Sequence, residues 1–354
     1  EAPMSIRWTG QLKPIVSGVY TLGMKSDDGC RVYVDGKKVI DAWTEHSVQM
    51  DEAMIKLEAG KTYKLQVEYF DNGGDCFAGL YWKAPSAGSQ NVLARFGDAG
   101  KVAAECDVTV AVLGINKSIE REGQDRFSLE LPVDQQEFIK ELYKVNPNTV
   151  VVLVAGSSMA VNWMDENVPA ILNAWYPGEQ GGNAVAEVLF GDYNPGGRLP
   201  LTYYNSLDEI PAFDNYSVKG RTYQYFEGQP LYEFGYGLSY TKFRYKSKGV
   251  NVEQDTVKVS FEVSNTGKYD GDEVAQVYVK YPETGTYMPL KQLHGFKRVH
   301  IKKGKTSKVT IGVPKKDLRY WDEQERKFVT PKGEYTFMVG ASSDDIKFRE
   351  TVGL

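Results

Sequence analysis

A short acidic loop carries the residues of this chain that are best suited to acid–base chemistry. It has the sequence IEREGQDR over residues 119–126 and follows a nearly continuous apolar run. In an extended backbone Glu120 and Glu122 lie on one side, because side chains alternate with a period of two. Two carboxylates held close together raise the pKa of one of them, as a general acid near neutral pH requires. The same spacing also fits a solvated charged loop, so both interpretations stay open on spacing alone.

Cysteine and histidine offer little alternative chemistry. The chain has three cysteines and three histidines, with no Cys-x-x-Cys pair. A zinc site is therefore not expected. His46, His294 and His300 are expected in turns or at the surface rather than in a nucleophilic triad. Cys30 and Cys76 could form a disulfide in an oxidising compartment, which would leave one thiol over.

Two aspartate-rich turns are a weaker candidate site. Asp27 and Asp28 could supply oxygen ligands to calcium. Further ligands would come from a second turn, at Asp71, Asn72 or Asp75. Aspartates also favour hairpin turns for purely structural reasons, and the chain has no EF-hand spacing. The preferred interpretation is that these aspartates stabilise hairpin turns.

The composition is that of a globular protein with several domains. The chain has 354 residues, of which 42% are hydrophobic and 25% charged, and its net charge is −5. This balance argues against wholesale disorder, and the length suits two or three domains. A mildly acidic chain disfavours nucleic acid as a partner. No apolar run approaches the roughly 18–20 residues of a membrane helix, so no membrane partner is expected either.

The hydrophobic pattern divides the chain into three parts and a linker. Residues 1–85 alternate apolar and polar positions around Asp-Gly turns, which predicts an all-β unit. Residues 86–100 are rich in small and turn residues and are predicted to be a linker. Residues 101–245 alternate apolar strands with helices, which predicts a parallel α/β domain. Residues 246–354 return to alternation and predict a β-sandwich.

The α/β part has too few strands for a complete sheet. About three strands are evident, at 108–114, 150–154 and 171–175, whereas sheets average about 5–6 strands. A three-stranded parallel sheet would leave an open edge. The chain also starts directly at a strand, at residues 5–8. We therefore expect further strands of this sheet to precede the chain, with the first β unit inserted into an open α/β sandwich that is incomplete here.

Several segments carry a family resemblance. The stretches GEQGGNAVAEVLFGDYNPGGRLPLTY (178–203) and PLYEFGYGLSYTKF (230–243) resemble the signature of glycoside hydrolase family 3, the β-glucosidase type of enzyme. The stretch EREGQDRFSLELPVDQQ (120–136) is similar to the acid/base loop of that family. Residues 1–85 resemble the protective-antigen-like domain that some members carry as an insertion, truncated at its N-terminus here. Residues 246–354 resemble their fibronectin-III-like domain, so the resemblance covers essentially the whole chain.

The resemblance implies one half of a two-carboxylate active site. In the family, an N-terminal (β/α)8 barrel supplies an aspartate nucleophile, and the α/β sandwich domain lends a glutamate as general acid/base. A barrel needs roughly 250 residues, for which this chain has no room, and the chain has no Ser-Asp-Trp sequence. The nucleophile is therefore expected outside this chain, on a barrel that is its missing partner.

The implied activity is retaining, exo-acting glycoside hydrolysis. The first expectation is a β-glucosidase that removes terminal non-reducing β-D-glucosyl residues from an oligosaccharide or aryl β-glycoside. The chain alone is expected to be inactive, because it lacks the nucleophile. No metal or organic cofactor is implied, and the family-level expectation for location is the periplasm or the outside of the cell.

The resemblance also assigns roles to residues of the acidic loop. Glu122 stands directly before Gly-x-Asp-Arg and matches the family's general acid/base, with Glu120 as the alternative. Asp125 and Arg126 are expected to hold the loop in place as an ion pair.

The inserted domain is expected to form one wall of the outer sugar pocket. Phe70, Asp75 and Phe77 are the candidate substrate-binding residues of that wall. The competing hypothesis is a non-catalytic carbohydrate-binding or adhesion module, because protective-antigen-like and fibronectin-like domains are common parts of such proteins. A glutamate presented at a strand end beside a glycosidase signature favours the enzyme.

Overall fold

The computed structural model divides the chain into two compact units, residues 1–91 and residues 92–354. The division falls inside the predicted linker, and each unit is described by itself below. No helix in the part of the chain that the structure describes is long and apolar enough to cross a membrane. The described residues are 3–84, 96–123, 125–126, 128–212, 215–285 and 287–354.

The first unit is built entirely from antiparallel strands. They form two sheets, of order β1-β6-β3-β4 and β5-β2-β7, whose inward side chains share a core that includes Leu22 and Met24 from one sheet and Val32 and Val67 from the other. At the β3–β4 hairpin, Asp35 and Gly36 both have positive φ, as the predicted Asp-Gly turn requires. The strands are β1 (Met4–Leu12), β2 (Gly18–Ser26), β3 (Cys30–Val34), β4 (Lys37–Ala42), β5 (Gln49–Leu57), β6 (Tyr63–Asp71) and β7 (Ala78–Lys83).

The disulfide that Cys30 and Cys76 could form in an oxidising compartment is absent from the structure. All three cysteines are free thiols in the structure. Cys30 is fully buried among the inward-facing side chains of β3. Cys76 is exposed, and its Sγ lies 3.5 Å from the hydroxyl oxygen of Tyr69.

The second unit begins with a small parallel sheet flanked by helices. Its strand order is β10-β9-β8, with both pairs parallel, as the alternation of strand and helix predicts. Short 3-10 helices lie at Leu207–Glu209 and Lys315–Leu318. The elements of this part are α1 (Ala99–Glu105), β8 (Thr109–Gly114), α2 (Val133–Val145), β9 (Thr149–Val154), α3 (Asn162–Asn167), β10 (Ala170–Asn173), α4 (Gly181–Phe190) and α5 (Thr222–Tyr225).

Strand β8 forms an apolar edge of this sheet. The central strand β9 is covered, with Val151 and Leu153 buried. On β8, by contrast, Val110 is 46% exposed and Val112 is 65% exposed. Within the described residues β8 pairs with one strand, β9. Apolar strand edges are normally covered in folded proteins, and the expectation that further strands complete this sheet stays a prediction.

The remainder of the second unit is again antiparallel. Two sheets, of order β11-β12-β15 and β14-β13-β18-β19, share one core. Val259 and Phe261 of the first sheet and Val277 and Phe337 of the second belong to that core. A separate hairpin is formed by β16 and β17. The strands are β11 (Phe243–Val252), β12 (Thr256–Asn265), β13 (Gly271–Lys280), β14 (Gln292–Ile301), β15 (Thr306–Pro314), β16 (Tyr320–Asp322), β17 (Lys327–Val329), β18 (Glu334–Gly340) and β19 (Ile346–Gly353).

A buried ion pair joins the α/β part to this β part. Arg198 Nη2 lies 2.8 Å from Glu273 Oε1 on β13, and the two side chains are 8% and 5% exposed. The same oxygen accepts a hydrogen bond from the amide of Val274 at 2.8 Å. Beside the pair, a Cβ added to Gly237 would lie 2.2 Å from the carbonyl oxygen of Gly197. The two glycine-rich segments, residues 178–203 and 230–243, therefore approach each other too closely at position 237 for any residue with a side chain.

We expect Arg198→Met to lower the free energy of unfolding by about 3–5 kcal/mol, because it leaves the Glu273 carboxylate buried and unpaired. The double variant Arg198→Met/Glu273→Met should recover much of this loss, since it removes both charges. As a control, Lys258→Met disrupts a pair with Glu253 whose side chains are 48% and 41% exposed, and it should cost less than about 1 kcal/mol. Urea unfolding of the three variants measures these differences; equal losses for the two single variants would contradict the structural role of the buried pair.

Candidate active site

The acidic loop follows β8 at the carboxyl end of the parallel sheet, which is where α/β proteins place ligands. The strand ends at Gly114, where φ is 155° and a Cβ would lie 1.9 Å from the carbonyl oxygen of Val154. The side chain of Gln135 on α2 binds both main-chain groups of Gly114: its Oε1 accepts from the amide at 2.9 Å, and its Nε2 donates to the carbonyl at 2.8 Å. The start of the loop is therefore fixed to the helix that comes after it. Nothing in the sequence pattern singled out Gln135 for this function.

Arg126 fixes the other end of the loop. Its Nε lies 2.5 Å from Glu120 Oε2. Its Nη2 donates to the carbonyl of Ser158 at 2.8 Å, and its Nη1 lies 3.0 Å from the sulfur of Met159. Glu120 Oε2 also accepts a hydrogen bond from Ser157 Oγ at 2.6 Å. The Arg126 side chain is only 9% exposed, so this guanidinium ties the loop to the segment that follows the neighbouring strand β9.

The expected ion pair between Asp125 and Arg126 is replaced by a different one. Among the ion pairs of the described residues, the carboxylate that Arg126 binds is Glu120, while Asp125 is exposed. The chain turns at Glu122 and Gly123, where Gly123 has a φ of 74°. That turn brings residues six positions apart together, whereas Asp125 stays on the outside of the loop.

Glu122 lies at this turn with an exposed side chain. It makes no hydrogen bond or ion pair with the residues that the structure describes. The two glutamates that the sequence places on one side of the loop thus differ: Glu120 is held by a guanidinium and a hydroxyl, and Glu122 is free to contact another molecule. A general acid must reach the atom that it protonates, which makes Glu122 the better candidate.

The candidate sugar-binding residues of the first unit lie at the end of β6 and in the turn that follows. Phe70 packs edge-on against Trp43, with ring centroids 4.8 Å apart. Lys25 Nζ lies 5.2 Å from the centre of the Phe77 ring, and Asp75 is exposed. These contacts show what holds the rings, and the function of the three residues in substrate binding stays a prediction.

In the neighbouring turn, the side chain of Asp28 has a structural function. Asp28 accepts hydrogen bonds from the amides of His46 at 3.1 Å and Asn72 at 2.7 Å, so it joins two turns. Burial and the nearby carboxylates raise the pKa of Asp27 above its ordinary value. In the parts of the chain that the structure describes, no three His, Cys, Asp or Glu side chains are arranged to hold a metal ion.

We expect the two loop glutamates to differ in their effect on stability. Glu120→Gln removes the charge opposite a largely buried guanidinium and should lower the free energy of unfolding by about 1–3 kcal/mol. The matched substitution Glu122→Gln changes an exposed group with no partner among the described residues, and it should alter the free energy of unfolding by less than about 0.5 kcal/mol. Chemical unfolding measures both; a loss at Glu122 as large as that at Glu120 would contradict the arrangement of the loop.

Comparison with known protein families identifies two segments. Residues 16–240 match the Glycosyl hydrolase family 3 C-terminal domain, and residues 273–343 match the Fibronectin type III-like domain. The first match includes the acidic loop and the α/β part, and the second lies within the antiparallel part of the second unit. The assignment of residues 1–85 to a protective-antigen-like domain stays a prediction.

Individual relatives agree with these matches. The chain is 34% identical to a xylan 1,4-beta-xylosidase of Xylanibacter ruminicola, over 93% of this chain and 39% of that protein. It is 33% identical to a beta-glucosidase of Kluyveromyces marxianus, over 96% of this chain and 43% of that protein. Among solved structures, a beta-glucosidase from Streptomyces venezuelae in complex with D-glucose superposes with a TM-score of 0.72 at 28% identity, over 100% of this chain and 47% of that one. The chain thus spans less than half the length of these relatives, and it belongs to glycoside hydrolase family 3, to the part formed by the family's C-terminal and fibronectin type III-like domains.

Proposed function

We propose that this chain is the C-terminal part of a retaining, exo-acting glycoside hydrolase and that Glu122 is its general acid/base. The observation that carries the proposal is the carboxylate of Glu122, which has no partner among the described residues and is exposed at the turn of a loop whose ends are fixed by Gln135 and Arg126. A loop that is held at both ends and presents an exposed carboxylate suits proton transfer, because the acid must be positioned and yet remain available to the substrate. The loop also follows a parallel strand at its carboxyl end, the usual place for such groups.

Retaining hydrolysis requires a second carboxylate. The two carboxyl groups lie about 5–5.5 Å apart around the scissile bond. One attacks the anomeric carbon, while the other protonates the leaving oxygen and then activates water for the second step. In our proposal Glu122 has the second function, and an aspartate on a (β/α)8 barrel has the first. The barrel would belong to the additional length that the relatives have beyond the part matched here.

Glu120 has the function of a positioning residue in this proposal. Its Oε2 is already bound by Arg126 and Ser157, so proton donation from this oxygen would require these bonds to be broken. Its charge instead keeps the guanidinium in place below the turn. This assigns different functions to two glutamates that spacing alone cannot separate.

The proposed substrate is a terminal non-reducing β-D-glucosyl residue of an oligosaccharide or aryl β-glycoside. Several relatives are named as beta-glucosidases and one as a xylan 1,4-beta-xylosidase. Both names describe enzymes that cleave the β-linkage of a neutral sugar. The 354-residue chain alone should not turn over such substrates, because it supplies only one of the two carboxylates.

We expect Glu122→Gln, made in the natural polypeptide that carries this sequence, to lower kcat/KM for a disaccharide by about 10²–10⁴-fold. The loss should be smaller for an aryl β-glucoside with a good leaving group, which needs less protonation. With the aryl β-glucoside, azide should restore turnover of the Glu122→Gln variant and yield the β-glycosyl azide. A small anion can replace the water that the missing base would activate in the second step. Steady-state kinetics and product NMR measure both effects.

Glu120→Gln is the matched control for this experiment. It should lower activity together with stability, without rescue by azide. Rescue of Glu120→Gln instead of Glu122→Gln would move the acid/base function to Glu120. Hydrolysis by the 354-residue chain alone that survives Glu122→Gln would overturn the proposal as a whole, and sugar binding without hydrolysis by the natural polypeptide would favour a binding module.

A further inference from the structure

A cavity lies in the second unit, and none of its lining residues belongs to the acidic loop. Its walls come from residues 223–234, from Leu290 and Lys291 just before β14, and from the end of β18 with the residues that follow it. Its volume is about 310 Å³. Small-molecule sites range from roughly 300 to 1,000 Å³, so this cavity suits a ligand of about one sugar ring.

The lining of the cavity includes three aromatic side chains, Tyr223, Phe226 and Phe234. Tyr223 and Phe234 stack on each other, with centroids 4.3 Å apart and planes 20° apart. The hydroxyl of Tyr223 accepts a hydrogen bond from the amide of Leu293 at 3.0 Å, which fixes the ring. Phe226, also in the lining, packs edge-on against Tyr204 at 5.1 Å. Rigid aromatic surfaces of this kind suit the apolar C–H face of a pyranose ring.

The lining also includes hydrogen-bonding groups. Lys291 Nζ donates to the carbonyl of Ser343 at 2.6 Å and pairs with Asp344. Glu233 Oε1 accepts from Ser342 Oγ at 2.8 Å. Ser343, which lines the cavity, is fully buried, and its Oγ has no hydrogen-bond partner among the described residues. A buried hydroxyl without a partner is costly.

The charges of the lining restrict the ligand further. Three carboxylates, those of Glu227, Glu233 and Asp344, lie in the lining with one ammonium group, that of Lys291. This balance disfavours an anionic ligand. The carboxylates can accept hydrogen bonds from several hydroxyl groups, and the ammonium can donate to another, so a neutral polyhydroxylated ring would use both.

We propose that this cavity is a second carbohydrate site, which binds one neutral pyranose ring separately from the catalytic centre. The combination of aromatic side chains, the hydrogen-bonded carboxylates of Glu233 and Asp344, and the ammonium group of Lys291 in the lining of one cavity carries the assignment. The site joins residues of the α/β part and of the fibronectin-like part, so a bound sugar would contact both. The proposal does not depend on the function assigned to Glu122.

Titration calorimetry and saturation-transfer NMR on the 354-residue chain test this site. Methyl β-D-glucopyranoside and D-xylose should bind saturably, and D-glucuronate should bind at least tenfold more weakly. Lys291→Met and Phe226→Ala should each raise the Kd for the neutral sugar at least tenfold. Glu122→Gln and Lys258→Met are the controls and should leave this Kd within twofold.

The exposed Asp344→Asn variant keeps the test decisive if the other cavity variants unfold. A thermal melt of each variant establishes folding, and Asp344→Asn should also weaken binding at least threefold. Absence of saturable binding, equal binding of glucuronate, or binding unchanged in the folded cavity variants would each overturn the proposal. Loss of binding in Glu122→Gln would do so too, because it would place the sugar at the acidic loop.

Discussion

The candidate site depends on one guanidinium. Arg126 is almost fully buried, and its donors are satisfied by Glu120 from its own loop and by Ser158 and Met159 from the segment after β9. An arginine cannot lose its charge in a protein, so these partners are needed wherever it is buried. The loop is therefore fixed across the ends of two neighbouring strands. Glu120 supplies the balancing charge, and Glu122 is exposed at the turn with no partner among the described residues.

The segments that identify the family have a structural function in this chain. The side-chain oxygen of Asn194 accepts hydrogen bonds from Ser239 Oγ at 3.0 Å and from the amide of Tyr240 at 2.8 Å, so the first glycine-rich segment holds the second. Close by, Arg198 pairs with Glu273 of β13. The Arg198–Glu273 pair joins the α/β part to the fibronectin-like part without any residue of the acidic loop. The cavity proposed as a carbohydrate site lies along this same junction, which is why residues of both parts line it.

The sequence predicts the elements with strong periodicity and misses the short ones. The apolar runs and the helical pattern after Pro132 locate β8, β9 and α2 to within about a residue or two. Helices α1 and α3 have seven and six residues, which is too short for a hydrophobic period to be visible, and α1 begins inside the predicted linker. Periodicity gives no information on which side chains meet across the fold.

For the candidate site too, the position of the loop along the chain could be predicted, whereas its side-chain contacts could not. The position of the acidic loop after a parallel strand could be predicted, because strand order along the chain determines it. The partner of Arg126 could not: the neighbour in sequence, Asp125, is exposed, and the turn at Gly123 brings Glu120 to the guanidinium instead. For the same reason spacing could not tell Glu120 from Glu122, and the contact of Gln135 with Gly114 had no signal at all. Contacts of this kind depend on how the loop closes, which only the folded chain specifies.

The central claim is that this chain holds one carboxylate of a two-carboxylate site and that a barrel elsewhere in the same polypeptide holds the other. The most direct test is the denatured intact mass of the natural polypeptide, measured together with its hydrolysis of an aryl β-glucoside. We expect an active protein whose mass exceeds the 39.7 kDa of this chain by at least a barrel of about 250 residues. A mass near 39.7 kDa, with or without hydrolysis, would contradict the claim.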